Sequence, residues 1–309
     1  MKISTDELTL TQAMLKHYAK SFAWASWFLS KEKYNDIAIL YAFCRILDDA
    51  VDEAASKEQA AEELYKIRYA ISNESTDNFY LQNFITLMHE YSINKSIVYH
   101  LIDGVESDIE FKTMTDCNQL IRYAYRVAAT VGLMVCDVMN IDSINAKAYA
   151  VDLGIAMQLT NIARDVYQDA RNDRIYLPQI WLQEKLSASE IVAGNEHIRG
   201  ICFNTITHIL TLAETYYHSS EYGLHYLPMR MRYAVVVASQ LYRAIGHKIL
   251  KLDNNNYWKG RTYVNRWHKI KLTLSAIPHT LKRRKKIEIE HDARLHDPIL
   301  DLFTIDTSR

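Results

Sequence analysis

Two stretches of the chain set carboxylates and amides at helical spacing. The first runs Tyr41-Ala42-Phe43-Cys44-Arg45-Ile46-Leu47-Asp48-Asp49-Ala50-Val51-Asp52, the second Gln158-Leu159-Thr160-Asn161-Ile162-Ala163-Arg164-Asp165, continuing to Asp169. At about 100° per residue, Asp48 and Asp52 lie about 40° apart on a helix, and Asn161, Asp165 and Asp169 fall within about 80°. Ile37, Tyr41 and Cys44 share the first of these faces, and Val151, Ile155 and Ile162 crowd the side of Asp169. Taken singly, such a ladder reads as a solvated helix face. Two of them on apolar faces read as interior carboxylates, which must be paired, protonated or bound to a cation. Facing one cavity, they would make a site for a hard divalent ion. Mg²⁺ binds through one or two carboxylates and completes its shell with water and phosphate oxygens.

The chemistry this implies is diphosphate departure. Divalent ions would neutralise the charge that develops on the leaving group, allowing a carbon–oxygen bond to ionise. Arginine suits bidentate contact with the diphosphate oxygens. Arg45 lies about 60° from Asp48, and Arg164 adjoins the second ladder; the alternative for each is an ion pair with a neighbouring carboxylate, Arg45 with Asp49 for instance. An allylic cation needs a dry, electron-rich wall, which 21 tyrosines could supply.

The elements that position these groups read as helices. Only 8 Gly and 4 Pro occur in 309 residues of 49% hydrophobic content, which favours long helices and a large core. Helical patterns cover residues 9–29 with a break at Ser21-Phe22, then a first acidic helix capped by Asn35 and ending near Ala55. Others span about 58–72, 79–90, 95–111, 118–139, 144–172, 201–219 and 229–250, with 187–197 read as a polar connection. No strand shows convincing alternation and no fixed-period repeat is evident, so the expectation is one all-α domain over 1–309. Four cysteines without C-x-x-C spacing read as reduced core residues. A net charge of −1 provides no field to recruit nucleic acid. Met1–Glu7 shows no signal-peptide pattern, and no apolar run is long enough to span a bilayer, so a cytoplasmic protein is expected. Residues 259–286 hold ten Lys or Arg and no Asp or Glu, ending in Lys282-Arg283-Arg284-Lys285-Lys286. This basic tail (271–309) is either solvated or a peripheral contact with anionic lipid.

In order and combination, these motifs resemble the squalene and phytoene synthase family of head-to-head prenyl synthases, and within it the bacterial phytoene synthases. The likeness rests on Lys20-Ser21-Phe22, on Tyr41 through Arg45 into Asp48–Asp52, and on Tyr123-Ala124-Tyr125-Arg126-Val127-Ala128-Ala129-Thr130-Val131-Gly132. It continues in Gln158 through Asp165 and Asp169, then Arg174-Ile175-Tyr176-Leu177-Pro178, and covers about residues 14–270. It implies a class I isoprenoid synthase-like helical bundle around a central cavity. It also implies Mg²⁺, with Mn²⁺ able to substitute, and no NADPH. Two molecules of geranylgeranyl diphosphate would pass through a cyclopropyl carbinyl diphosphate, prephytoene diphosphate, to phytoene. By motif position, Asp48, Asp52, Asn161, Asp165 and Asp169 would ligate metal. Ser21, Arg45, Gln158 and Arg164 would contact diphosphate or order the metal shell. Tyr125 would stand near the carbocation, Phe22 and Tyr41 are further aromatic candidates, and Tyr242 and Arg261 match C-terminal positions.

Two departures stand out. One residue is inserted in His17-Tyr18-Ala19-Lys20-Ser21-Phe22, and Ala129 stands where many members carry Gly, adding a methyl expected to shorten the cavity. The rival readings are the same chemistry on C15 substrates, giving squalene or dehydrosqualene, a class I terpene cyclase, and a non-catalytic relative serving assembly or interaction.

Overall fold

The computed structural model describes residues 4–111, 113–281 and 290–303, and these contain helices and no strand. The N-terminal part comprises α1 (Thr5–Tyr18), α2 (Lys20–Ser26), α3 (Lys31–Asp52), α4 (Lys57–Asn73), α5 (Phe79–Glu90) and α6 (Lys95–Glu106). A π-helical turn, Tyr125–Ala129, joins α7 (Cys117–Ala124) to α8 (Thr130–Val138), and the 28-residue α9 (Ile144–Arg171) follows. Short helices α10 (Gln179–Leu182) and α11 (Ala188–Ala193) lead to α12 (Glu196–Ser220). A 3₁₀ turn over Glu221–Tyr226 precedes α13 (Met229–Ile249), α14 (Asn254–Tyr257) and α15 (Arg266–Leu281). A last 3₁₀ turn covers Ala293–Ile299.

Local chemistry sets these boundaries. The Ser30 hydroxyl accepts from the Lys33 amide and starts α3, while Asn35 lies inside that helix and accepts instead from Gln12 of α1. The expected Asn35 cap is therefore corrected to Ser30. Ser143 caps α9 through the Ala146 amide. The N-terminal break falls at Ala19, two residues ahead of Ser21. The stretch read as a polar connection contains α11, opened by a Ser187/Glu190 capping box and closed by left-handed Gly194.

Two apolar clusters make up the core. One gathers α9, α12 and α13; the other gathers α3 to α6 with α8, and within it Phe43 stacks on Phe84 at 3.7 Å between ring centroids. α9 lies at the centre, packed on α12, α8, α13 and the π turn. Helix α9 presents positions 146, 149/150, 153/154, 157/158 and 161 to a cavity of about 370 Å³, while α2, α3, α8 and α13 supply its other walls. Close approach is built in. A Cβ on Gly154 would stand 2.5 Å from the Ala129 Cα, and one on Gly132 would stand 2.9 Å from the Ala150 oxygen. Ala129 therefore faces helix backbone, and its neighbour Ala128 is the residue on the cavity wall, so the expected shortening by the Ala129 methyl is not found.

The C-terminal part folds back on the bundle. Arg122 binds the Pro298 carbonyl and Asp301, the Tyr216 hydroxyl donates to the Leu295 carbonyl, and Ile299 is fully buried. The Lys282–Lys286 run lies outside the described residues. All four cysteines are free thiols.

Candidate active site

The mouth of the cavity joins the two ladders. Asp48 lines it from α3, and Gln158 and Asn161 line it from α9, with Phe22, Tyr41 and Tyr242 on the adjoining wall. The Asn161 amide donates to the Gln158 oxygen at 3.3 Å. Ser21 sits beside Phe22 on α2 but is not among the lining residues. Below the mouth the wall is apolar, built from residues such as Ile37, Val131, Leu153 and Met157.

The carboxylates repel one another. Asp48 is reached by water through the cavity yet enclosed by protein on its other sides; burial, then Asp52, pushes its carboxyl up to about 7. Burial, then Asp165, pushes Asp169 up to about 8. Asp108, in the turn after α6, acts electrostatically on Asp48, Asp52 and Asp169, and its own carboxyl is raised by burial although the Tyr123 and Tyr176 hydroxyls donate to it at 2.8 and 2.9 Å. A set of oxygen donors whose charges raise each other's proton affinity is one a divalent cation relieves. Asp48, Asp52, Asn161, Asp165 and Asp169 could hold such an ion, with Asp108 in reach of the same field.

The arginines are held by these acids. Arg45 pairs with Asp49, and its guanidinium lies 4.3 Å from the Tyr18 ring centre. Asp165 is gripped from both sides, by Arg164 through Nε at 2.9 Å and by Arg261 through Nε and Nη2 at 2.8 Å. Despite burial, those two arginines hold its carboxyl below the usual range. Arg174 binds Asp52 at 2.8 Å, tying the end of α3 to the segment after α9. Tyr242, half-buried on the wall, lies within the field of Arg164, Arg261 and Asp165.

One expected site residue is elsewhere. Tyr125 is buried on the opposite side of its helix, where its hydroxyl donates to the Leu302 carbonyl at 3.2 Å and its ring meets Phe303. Tyr123 is the tyrosine that reaches the acidic cluster, with Tyr176 stacked against it at 4.7 Å. Residues two apart on a helix point about 160° away from each other, so the two tyrosines of this motif serve opposite faces. Asp108, Tyr123, Arg174 and Tyr176 were not assigned roles from the sequence. Arg174 and Tyr176 did stand in a quoted motif, whereas Asp108 carries no local signal.

Comparison with known proteins agrees with this arrangement. The squalene/phytoene synthase family model matches residues 15–268. A phytoene synthase of Pseudescherichia vulneris is 32% identical over 283 residues, 88% of this chain and 90% of that protein. A 4,4'-diapophytoene synthase of Staphylococcus haemolyticus is 32% identical over 268 residues, 84% of this chain and 92% of its own length. Among solved structures, a dehydrosqualene synthase in complex with ligand aligns with a TM-score of 0.71 at 23% identity, covering 89% of this chain and 96% of that one. Squalene synthase HpnC from Alicyclobacillus acidocaldarius aligns at 0.66 and 18%, covering 81% and 94%. The two structural likenesses speak for the all-α isoprenoid synthase fold. The chain belongs to the squalene/phytoene synthase family and is an enzyme of the prenyltransferase type.

Proposed function

Given that family, we propose that the chain is a Mg²⁺-dependent phytoene synthase, joining two geranylgeranyl diphosphates head to head and releasing two diphosphates. The observation that carries this reading is the acidic mouth of the apolar cavity, with Asp48, Gln158 and Asn161 on its rim and the Asp169 carboxyl nearby pushed up to about 8 by burial and by Asp165. Mg²⁺ held by the two ladders would neutralise charge on the departing diphosphate. The rest is the work of the chain itself. Arg45, Arg164, Arg174 and Arg261 exchange carboxylate partners for diphosphate oxygens. Phe22, Tyr41 and Tyr242 present aromatic rings to the allylic cation. Apolar side chains below the mouth exclude water, so that the cation is captured by the double bond of the second substrate. Loss of a proton closes the cyclopropane, and the resulting cyclopropyl carbinyl diphosphate ionises in turn, rearranges and loses a second proton, with no reductant consumed.

The same reaction on two C15 diphosphates is a second reading, favoured by the diapophytoene synthase, which shares the same 32% identity over a somewhat shorter stretch. No described helix is long and apolar enough to cross a membrane. Trp267, Leu274, Ile277 and Leu281, exposed along α15 with Lys271 among them, support a peripheral contact with a bilayer surface.

The test is an extraction assay with purified protein, Mg²⁺ and geranylgeranyl diphosphate, without NADPH. A C40 hydrocarbon in the organic phase supports the phytoene reading. Product from the C15 diphosphate alone moves the chain to the second reading. Silence with both substrates refutes catalysis by this chain on its own.

A further inference from the structure

On the far side of α9 from the acidic mouth lies a second cluster that the condensation does not use. Asp152, fully buried near the start of α9, faces two histidines from the C-terminal segment. His296 Nε2 lies 2.8 Å from Asp152 Oδ1, and His291 Nε2 lies 2.8 Å from Oδ2. The Ser219 hydroxyl of α12 donates to Oδ2 at 2.6 Å. One ligand atom from each of Asp152, His291 and His296 lies within 4.8 Å of the others, and both rings are nearly buried. Aromatic neighbours fix the rings, His291 by Tyr149 at 5.2 Å and His296 by Phe303 at 5.1 Å.

We propose that Asp152, His291 and His296 form a structural Zn²⁺ site that staples the C-terminal segment to α9, with Ser219 or a water in the fourth position. Two imidazoles and one carboxylate are a donor set that Zn²⁺ accepts, whereas Mg²⁺ demands oxygen ligands. Tetrahedral ligands at 2.0–2.2 Å stand about 3.3 to 3.6 Å apart, and these three ligand atoms already lie within 4.8 Å of one another, so the rearrangement the ion requires is on the order of 1 Å. Tyr149 touches His291 on one side and lines the cavity on the other, so the staple braces the distal wall of the prenyl pocket. The site does not depend on the reading of the activity.

Full-length protein stripped with EDTA should take up one Zn²⁺ per chain in competition with a chromophoric chelator, and the rise in its unfolding temperature with Zn²⁺ should be lost in the His291→Ala/His296→Ala double variant. His296→Ala and the His291→Ala/His296→Ala double variant should lose more than about tenfold in affinity, given that second-shell changes alone cost that much. Asp165→Asn, which alters the acidic mouth, should keep the zinc. Circular dichroism verifies folding, and His291→Gln serves if an alanine variant fails to fold. The proposal is overturned if wild type binds Zn²⁺ no more tightly than the double variant, or if Asp165→Asn is the change that removes the metal.

Discussion

Asp169→Asn is expected to stabilise the metal-free protein at neutral pH and to remove its activity. The carboxyl is held at about 8 by burial and by Asp165, against about 3.9 in an unfolded chain. The folded state therefore binds the proton more tightly than the unfolded state, so this group's contribution to stability declines as pH rises from about 4 to about 8. Each tenfold change in proton affinity is worth about 1.4 kcal/mol, so the three decades between 3.9 and pH 7 amount to at most about 4 kcal/mol. Water at the mouth and relaxation of the neighbouring charges reduce the expected effect to about 2 kcal/mol. Asparagine keeps the shape and does not titrate. Urea unfolding in EDTA at pH 5.5 and 7.5 reads the difference, with the advantage of the variant growing by about 1 to 2 kcal/mol between the two. Adding Mg²⁺ with inorganic diphosphate should stabilise wild type and not the variant. Turnover should fall by about a hundredfold or more, as loss of several kcal/mol of charge stabilisation implies. Equal pH slopes in the two proteins, or a variant less stable at pH 7.5, would refute the electrostatic argument.

Tyr123→Phe and Asp108→Asn are expected to lower turnover by more than about tenfold without unfolding the chain, because both touch the acidic cluster. Tyr125→Phe should leave turnover near wild type and cost about 1 kcal/mol by freeing the Leu302 carbonyl, read by denaturant midpoint. Gly154→Ala drives a methyl into the Ala129 backbone and should destabilise by about 1 to 3 kcal/mol, lowering the unfolding temperature. Leu274→Glu on α15 should weaken sedimentation with anionic phosphatidylglycerol vesicles while leaving the fold intact; unchanged sedimentation would remove the membrane contact.

What the sequence made legible follows from what is local. α9 could be bounded because Ser143 caps it and its apolar period is long, and α5 because Asn78 caps it and Glu90 ends its pattern. The ladders were visible because each lies on one helix. The choice between Tyr123 and Tyr125 was not, since both are buried and only the packing of neighbouring elements decides which face meets the site. The π turn that follows Ala124 adds a residue to the register, which a uniform 3.6-residue period does not anticipate. Asp108 reaches the site from a turn, and His291 meets Asp152 across 139 residues, so neither association has a periodic trace. α11 did carry a readable sign, the Ser187/Glu190 capping box, within a stretch that otherwise reads as polar.

The spacing of the cavity positions along α9 also bears on how such an enzyme changes its product. From residue 146 to 161 the helix turns a lining residue, or a pair, toward the substrate on every turn, a ladder of rungs about 5.4 Å apart along about 22 Å of axis. Enlarging a side chain on one rung raises the floor to that rung and leaves those nearer the diphosphate untouched. On the proposed reading, a larger side chain at 149/150, 153/154 or 157 should shorten the prenyl chain accepted, one rung at a time, without touching the acids and amides at the mouth.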